Sequence, residues 1–194
     1  KYKRILAIGG LKDKVRDVAT GYGFEDVIIP ADIIRTNEST WPFHGYSNEQ
    51  LNEFTKDPKI SNVFEIPIDA IMVFNDPRDM GTDVQIVSDY LNSINGKYGT
   101  IRDFHKVLHK NAPAIPILFS NNDLLWANDF NLPRFGQGEF RIIVERLYEE
   151  LNNSFKLNST IFGKPFKSQY IFAHHILLDW YDKIIHNPEL TNPN

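Results

Sequence analysis

The sequence predicts an α/β fold with a largely parallel or mixed central sheet. Short apolar runs typical of buried strands, of which Ile68–Phe74 is the clearest, alternate with longer segments whose apolar residues recur at helical spacing. Strands separated by such segments are typical of sheets built from βαβ units. In sheets of this type, functional groups tend to lie in loops beyond the carboxyl ends of the strands.

The first third of the chain predicts two strands, two helices and a loop. In chain order they are a strand over Arg4–Ile8, a helix over Asp13–Tyr22, a strand over Val27–Ile29, a loop over residues 31–46 and a helix from Ser47 to about Lys56. Gly23 and Pro30 are the stop signals of the first helix and the second strand. The run Ser-Asn-Glu-Gln that begins at Ser47 has the pattern of a capping box, which favours a helix start there.

The remaining chain predicts two more strands and three more helices. In chain order they are a strand over Ile68–Phe74, a helix over Thr82–Ser93, an irregular polar segment over residues 95–114, a strand over Ile115–Ser120, a helix over Gly136–Leu151 and a last helix over about Ser168–Ile185. Three loops therefore follow predicted strands and are candidate sites: Gly9-Gly10, Asn75–Asp79 and Ser120–Asp123.

Composition and charge exclude several classes of protein. Apolar residues are 42% and charged residues 24% of the 194 positions, close to the soluble average, which argues against a disordered, collagenous or coiled-coil protein. The longest apolar runs fall far short of the roughly 20 residues of a membrane helix, so we expect no membrane partner. A net charge of −4 gives no bulk electrostatic case for a nucleic-acid partner. Because the chain has no cysteine, disulfides, thiolate nucleophiles and thiolate metal sites are excluded.

The loops after the first and third strands each allow a structural and a functional interpretation. Gly9-Gly10 lacks the third glycine of a dinucleotide fingerprint, so we interpret it as a strand-to-helix turn. Asp76, Arg78 and Asp79 could contact a substrate, since paired carboxylates can do acid–base work or hold a metal. The same carboxylates could instead cap the helix that starts near Thr82 and pair with Arg78.

Two further segments also have two interpretations. Asn121, Asn122 and Asp123 are good turn residues and good hydrogen-bonding residues. The glycines at Gly136 and Gly138 could let backbone amides approach an anion at a helix N-terminus, or could simply form a loop.

Two histidines have the spacing of helical metal ligands. His105 and His109 are separated by four residues, but no third ligand stands out near them. Because metal sites need three or four converging ligands, we predict no metal site in this chain.

A lysine lies just ahead of the last predicted helix. Lys164 stands between Gly163 and Pro165, where a glycine permits close approach and a proline fixes the helix entry. A compact cation in this place could face a phosphate, although Gly-Lys-Pro is also a common surface turn.

Taken together and in order, these segments resemble class IIA hydrolases of the haloacid dehalogenase superfamily, in particular the subfamily named after cat eye syndrome critical region protein 5. The stretches that match are Arg4–Gly9, Gly21–Phe24, Val73–Pro77, Phe119–Asn128, Arg134–Gly138, Phe162–Pro165 and Phe172–His175. The resemblance covers nearly the whole chain, and its most specific segments are Ser-Asn-x-Asp-Leu-Leu-Trp-Ala-Asn and Arg-Phe-Gly-Gln-Gly.

The resemblance implies an α/β cap of the C2 type over residues 1–158 and the start of the C-terminal half of a Rossmann-like core over residues 159–194. Lys164 matches the third motif of the family, with the implied catalytic role of neutralising charge on the phosphoryl group and on an aspartate nucleophile. The implied substrate is a small phosphorylated molecule that is hydrolysed through an aspartyl-phosphate. Asp76, Arg78, Asn122, Gly136 and Gly138 are the implied substrate-binding candidates.

The other family motifs are absent from this sequence. The Asp-x-Asp-Gly motif with the nucleophile, and the acidic loop that completes the Mg²⁺ site, do not occur, so the cofactor Mg²⁺ is implied but its ligands are not present. Residues 187–194 resemble the linker before that loop. We therefore expect the chain to be the middle of a longer protein and to be inactive alone.

Three further expectations complete this interpretation. The alternative function is a non-catalytic binding or scaffolding protein that keeps the fold. Any homodimer is expected to form through the cap. The resemblance also implies a mitochondrial location, which the residues themselves do not reveal.

Overall fold

A five-stranded parallel sheet forms the centre of the protein, which confirms the predicted α/β class. The computed structural model describes residues 2–106, 109 and 112–186, so the predicted linker over residues 187–194 lies outside the described residues. The strands of this sheet are β1 (Arg4–Ile8), β2 (Asp26–Ile28), β3 (Ala70–Val73), β4 (Ile117–Phe119) and β7 (Thr160–Ile161). They lie in the order β2-β1-β3-β4-β7, and every neighbouring pair is parallel.

Helices connect the strands within the described residues. They are α1 (Lys14–Gly21), α2 (Pro30–Thr36), α3 (Asn48–Phe54), α4 (Pro58–Ser61), α5 (Met80–Leu91), α6 (Gln137–Leu151) and α7 (Lys167–His186). Short 3-10 turns cover Glu38–Thr40 and Phe104–Lys106. The predicted helix starting at Ser47 is confirmed, since the Ser47 hydroxyl accepts from the amide of Gln50 and the Gln50 side chain accepts from the amide of Ser47.

The core lies between the sheet and its helices. Every residue of β1 is buried, and β3 is buried except for Met72. Helices α5 and α6 pack against each other, and α2 contacts both β1 and α5. Among the largest fully buried side chains are Phe119 on β4 and Phe140 on α6, whose rings meet edge to face with centroids 6.5 Å apart.

The loop predicted over residues 31–46 is wrong in its first part, because Pro30 starts helix α2. Proline is favourable at the first helical position, where its missing amide proton has no partner to lose. Asp32 follows at the third helical position, and its carboxylate accepts from the amide of Ile29, 2.9 Å away. Ile33 and Ile34 then bury the helix in the core. The proline therefore begins this helix as well as ending β2.

Two strand pairings were not predicted from the sequence. Strand β7 has only two residues, and it joins the sheet beside β4. Strands β5 (Leu125–Trp126) and β6 (Arg134–Phe135) form an antiparallel hairpin outside the main sheet. The indole of Trp126 donates to the carbonyl of Phe135 across this hairpin, at 3.0 Å.

Helix α7 exposes a large apolar surface. None of its residues is buried. Phe172, Leu177, Trp180 and Tyr181 are each about 60% exposed or more. No helix of the described residues is long and apolar enough to cross a membrane.

The carboxyl ends of the strands meet at one edge of the sheet. Gly9 follows β1, and its left-handed φ of 97° places it against the backbone of Asn75, which follows β3. The next residue, Gly10, donates its amide to the carbonyl of Asp76, 3.2 Å away. The Gly9-Gly10 segment is therefore the predicted turn, and it joins the exits of two strands.

We predict that Gly9→Ala lowers the free energy of unfolding by about 2–3 kcal/mol, because a Cβ would clash with the Asn75 carbonyl and φ would be strained. Gly21→Ala is the matched control, since Gly21 ends α1 with nothing within 4 Å of a new Cβ. The control should be neutral or stabilising. Urea unfolding of both variants is the measurement, and equal stabilities would contradict the prediction.

Candidate functional site

An open cleft lies beyond the carboxyl ends of β4 and β7. Its volume is about 470 Å³. Its polar lining residues are Ser120, Asn121, Asp123, Lys164, Ser168 and Gln169. The first three follow β4 and the others follow β7, so two strand exits and the start of α7 build the cleft. This is the edge of a parallel sheet where functional groups are expected.

Lys164 is the only cation among the described residues that line the cleft. Its ammonium lies 3.2 Å from a carboxylate oxygen of Asp123, and the two side chains are 59% and 39% exposed. Exposed ion pairs contribute little to stability, with typical values of ~0–1 kcal/mol. The ammonium can therefore leave Asp123 for a stronger anion at little cost.

Gly163 allows the exits of β4 and β7 to approach each other. Its φ is 88°, a left-handed conformation that favours glycine. A Cβ at this position would lie 3.1 Å from the carbonyl oxygen of Ser120. The glycine thus places Lys164 directly beside the loop that follows β4.

Gln137 holds that loop in place. Its side chain is fully buried, with its oxygen accepting from the amide of Asn121 at 2.9 Å and its nitrogen donating to the hydroxyl of Ser120 at 3.2 Å. The Ser120 hydroxyl also donates to the carbonyl of Phe74, at the exit of β3. In the sequence this glutamine is visible only as part of a glycine loop, with no signal of its role.

The segment Asn121–Asp123 forms a turn and is also hydrogen-bonded to α6. The side chain of Asn121 accepts from the amide of Asp123 at 3.0 Å, which is the predicted turn. The side-chain oxygen of Asn122 accepts from Arg141 on α6, 2.9 Å away. Arg141 in turn pairs with Glu145. Asn122 is therefore fixed by α6 within the loop after β4, between two residues that line the cleft, and is not itself one of the described lining residues.

The glycines at positions 136 and 138 pack against the same loop. The amide of Gly138 donates to the carbonyl of Asp123 at 2.9 Å, and the amide of Gly136 donates to the carbonyl of Leu124 at 2.8 Å. A Cβ on Gly138 would lie 2.5 Å from the carbonyl oxygen of Asn122. The structure thus favours the loop-packing interpretation over an anion loop for these amides, and their contact with a substrate stays a prediction.

The charged residues that follow β3 lie in different surroundings. Asp79 caps helix α5, accepting from the amide of Thr82 at 3.2 Å, and it also accepts from the amide of Gly45 at 3.1 Å. Burial acts to raise the pKa of Asp79, but the hydrogen bonds from Thr82 and Gly45 outweigh it and leave the pKa below its ordinary value. The capping interpretation is confirmed for Asp79. Among the described residues, Asp76 and Arg78 form no ion pair, and Arg78 lines a different cavity beside β1.

No family model matches the chain. It is 49% identical over 184 residues to a protein of Saccharomyces cerevisiae named a mitochondrial hydrolase, an alignment that covers 95% of this chain and 50% of that protein. It is 37% identical over 195 residues to a protein of Schizosaccharomyces pombe named a cardiolipin synthase (CMP-forming) and mitochondrial hydrolase fusion protein, an alignment that covers 100% of this chain and 30% of that protein. The chain therefore spans half or less of the length of these relatives.

The residues that the structure describes contain no group of three or more histidine, aspartate or glutamate side chains able to hold a metal ion. His105 and His109 are both exposed. In the cleft, Asp123 is the carboxylate nearest to Lys164, and the ammonium pairs with it. The described part of the cleft thus offers a cation and amide groups for binding rather than a metal centre.

We predict that Gln137→Leu lowers the free energy of unfolding by about 1–3 kcal/mol, because the amide of Asn121 and the hydroxyl of Ser120 lose their buried partner. Gln85→Leu is the control. This half-buried glutamine of α5 donates to Asp89, and both residues are distant in sequence from those that line the cleft. Hydrogen exchange of the Asn121 amide should accelerate in Gln137→Leu alone. Unchanged exchange would show that Gln137 does not hold the loop.

Proposed function

We propose that the chain is part of a hydrolase that removes the phosphoryl group from a small phosphorylated substrate. The observation that carries the proposal is the ammonium of Lys164, which is more than half exposed in a cleft at the carboxyl edge of the sheet. Two relatives that align with nearly all of this chain bear the word hydrolase in their names. The position of Lys164 in a Gly-Lys-Pro segment supports the phosphoryl assignment by resemblance.

In this proposal Lys164 stabilises the negative charge that the phosphoryl group carries as its bond to the leaving group breaks. A fixed positive charge close to developing negative charge is an effective catalytic device, because it acts more strongly on the transition state than on the bound substrate. Before substrate binds, Asp123 holds the ammonium in the cleft. A phosphate with two negative charges would then compete for the ammonium with a carboxylate that has one.

Asn122, Asp76 and Arg78 are proposed to select the rest of the substrate. Asn122 lies between two residues of the cleft lining and accepts a hydrogen bond from Arg141, so its position is fixed before a ligand arrives. Asp76 and Arg78 follow the neighbouring strand β3, on the same edge of the sheet. In this proposal Asn122 contacts the leaving group while Lys164 contacts the phosphate. Because Arg78 lines the separate cavity beside β1, it and Asp76 would contact only a part of the substrate that extends along the sheet edge past β3.

Magnesium, which the resemblance implies, does not fit the described residues by themselves. A Mg²⁺ site takes about six oxygen ligands, usually including one or two carboxylates and the substrate phosphate. The carboxylate of Asp123 is paired with Lys164, and the described residues contain no acidic cluster around it. The nucleophilic aspartate of the proposed reaction is likewise assigned to another part of the protein.

Helix α7 is proposed to belong to a second domain, the hydrolase core, with residues 1–158 as its cap. Its apolar side chains are exposed along its whole length, which is unusual for a stable helix of a soluble domain. The alignments cover 50% and 30% of the two relatives, so these relatives contain further chain that could cover such a surface. Closure of a cap over a core would then exclude water from the cleft at Lys164.

The experiment is a phosphatase assay of the full-length protein and of the 194-residue chain, with p-nitrophenyl phosphate and Mg²⁺. We expect turnover by the full-length protein and none by the 194-residue chain, because the chain lacks the proposed nucleophile. Comparable turnover by the two proteins would refute the proposal. A full-length protein that binds phosphorylated compounds without hydrolysing them would favour the non-catalytic alternative.

The names of both relatives include the word mitochondrial, and we propose the same compartment for this protein. Subcellular fractionation of cells that express the full-length protein is the test. Recovery in the cytosolic fraction alone would contradict it.

A further inference from the structure

A second cavity lies beyond the carboxyl ends of β1 and β3. Its volume is about 510 Å³, within the ~300–1,000 Å³ range of small-molecule sites. From β1 the chain continues to β2 on one side and returns through β3 on the other side. Ligands of open parallel sheets bind at such a switch in strand order. The cavity is therefore in a favourable place for a ligand, and none of its described lining residues also lines the cleft at Lys164.

Asp83 of α5 lines this cavity and is only 4% exposed. Within the described residues its carboxyl group forms neither a hydrogen bond nor an ion pair. Leaving a buried polar group without a partner costs about 1–3 kcal/mol, and more if the group is charged. Because the carboxyl group lines the cavity and has no partner among the described residues, it is available to a partner that is not part of the chain.

The interior of the cavity is acidic. Asp79 lies four residues before Asp83, so the two carboxyl groups share one side of α5. Asp79 receives its hydrogen bonds from the neutral groups of Thr82 and Gly45 rather than from a cation. The charge of Asp32 on α2 also raises the pKa of Tyr46, but Asp32 is paired with Arg16.

The two cations that line the cavity do not neutralise these carboxyl groups. The ammonium of Lys12 is held by Glu53, 2.8 Å away. Arg78 is exposed at the rim. Within the described residues, no lysine or arginine pairs with Asp79 or Asp83, and the charge of His44 acts only on Asp79.

The remaining walls are aromatic and aliphatic. Phe43, Tyr46 and Phe54 contribute rings, and the hydroxyl group of Tyr46 forms no hydrogen bond within the described part of the chain. Burial first, then the charges of Asp83 and Asp79, raise the pKa of Tyr46, so the ring stays neutral. Neutral aromatic rings attract cations through their electron-rich faces.

Burial first, and the charge of Asp79 second, raise the pKa of Asp83 to about 8. His44, near Asp79, Lys12, Arg78 and the Arg16–Asp32 pair are the other charged or titratable groups around this region. At neutral pH a proton therefore supplies the compensating charge at Asp83. A ligand with a positive charge could replace that proton.

We propose that this cavity binds a small organic cation, an amine or ammonium compound, whose charge is met by Asp83 and Asp79 and whose apolar part contacts the aromatic walls. A metal ion is disfavoured, because two carboxylates are too few ligands and the described residues contain no group of three. Nothing in this proposal depends on the phosphatase assignment or on Lys164.

The test is calorimetric titration of the full chain with benzylamine, and with benzyl alcohol as the uncharged analogue. Saturable binding of benzylamine and none of comparable strength by the alcohol is expected. Because the bound ammonium replaces a proton on Asp83, affinity should fall about tenfold from about pH 7 to about pH 6. The released proton is taken up by the buffer, so the observed heat of binding should change with the ionisation enthalpy of the buffer. Each of these measurements uses the unmodified protein, so it needs no folded variant.

Two matched variants locate the site. Asp83→Asn, which keeps the shape and removes the charge, should lower the affinity for benzylamine about tenfold or more. Asp89→Asn is the control, because Asp89 is a half-buried carboxyl group of the same helix that bonds to Gln85 and Tyr98 outside this cavity. Its affinity should be unchanged.

Several outcomes would overturn the proposal. They are equal binding of benzyl alcohol, no saturable binding of either benzylamine or tetramethylammonium, affinity that does not change with pH, and full binding by a folded Asp83→Asn variant.

Discussion

Lys164→Ala in the full-length protein is expected to lower kcat by about 100- to 1,000-fold, a loss typical of removing one group that stabilises transition-state charge. The same change should alter the free energy of unfolding by less than ~0.5 kcal/mol, because the side chain is 59% exposed and its partner Asp123 is also accessible. Steady-state phosphatase kinetics and urea unfolding are the two measurements.

The matched control is Lys167→Ala. Lys167 is an exposed lysine at the first position of α7, only three residues after Lys164. Lys167→Ala changes the net charge by the same amount as Lys164→Ala, but Lys167 is not one of the described residues that line the cleft. We expect its kcat to stay close to that of the unmodified protein.

Lys164→Arg separates charge from shape. Arginine keeps the positive charge but spreads it over a planar group, so it cannot act as a compact point charge. We expect partial activity, between that of the alanine variant and the original protein. A large loss of stability with unchanged kcat in Lys164→Ala would contradict the proposed role.

Local signals in the sequence were enough to predict four of the five strands of the sheet. The four predicted strands correspond to β1 to β4, and the capping box at Ser47 starts α3 as expected. These features could be predicted because hydrophobic periodicity and capping act over a few residues. The α/β class follows from their alternation.

The features that could not be predicted depend on contacts distant in sequence. Strand β7 has only two residues, and these residues form a strand only because they pair with β4. The hairpin of β5 and β6 similarly depends on pairing across an irregular loop. Short strands of this kind have no periodicity of their own to detect.

The site itself was predicted in part. The loop after β4 was predicted to follow a strand, whereas Lys164 was predicted only to precede the last helix; the structure brings the two together in one cleft. Gln137 was missed, because nothing in the sequence distinguishes a buried glutamine from an exposed one at the start of a helix. Its role becomes visible only from its hydrogen bonds to Asn121 and Ser120.

Asp83 was missed although the sequence contains a signal for it. It precedes Ile86, Val87 and Tyr90 by three, four and seven residues, so it shares their buried side of α5. An aspartate in the apolar stripe of a helix is unfavourable for stability unless it has a partner or a function. That pattern would have been sufficient reason to name it as a candidate.

Asp83→Asn is therefore expected to stabilise the protein by several kcal/mol at pH 8. In the folded state the pKa of Asp83 is raised from 3.8 to about 8, mainly by burial. Between these values the folded protein keeps a proton that the unfolded chain has released. The unmodified protein therefore loses stability as pH rises through this window, by up to about 1.4 kcal/mol per pH unit. Above the folded pKa the loss stops growing.

Asparagine has the same shape and no proton to retain, so the variant should lack this slope. Its advantage over the original protein should be small near pH 4 and largest near and above pH 8, the reverse of the usual behaviour of a carboxylate in an ion pair. Asp17→Asn is the control, since Asp17 is an exposed aspartate of α1. It should show no such dependence.

Urea unfolding at several pH values measures the difference between variant and original protein. A constant difference from pH 4 to pH 8 would show that the carboxyl group is ionised or solvated in the folded state, and would remove the premise of an unpaired acid in the cavity. A difference that grows with pH, together with loss of benzylamine binding in the same variant, would mean that the Asp83 side chain lowers the free energy of unfolding and also supports binding. These two opposite effects are expected of a binding residue, because a group placed for a ligand is left without a partner when the ligand is absent.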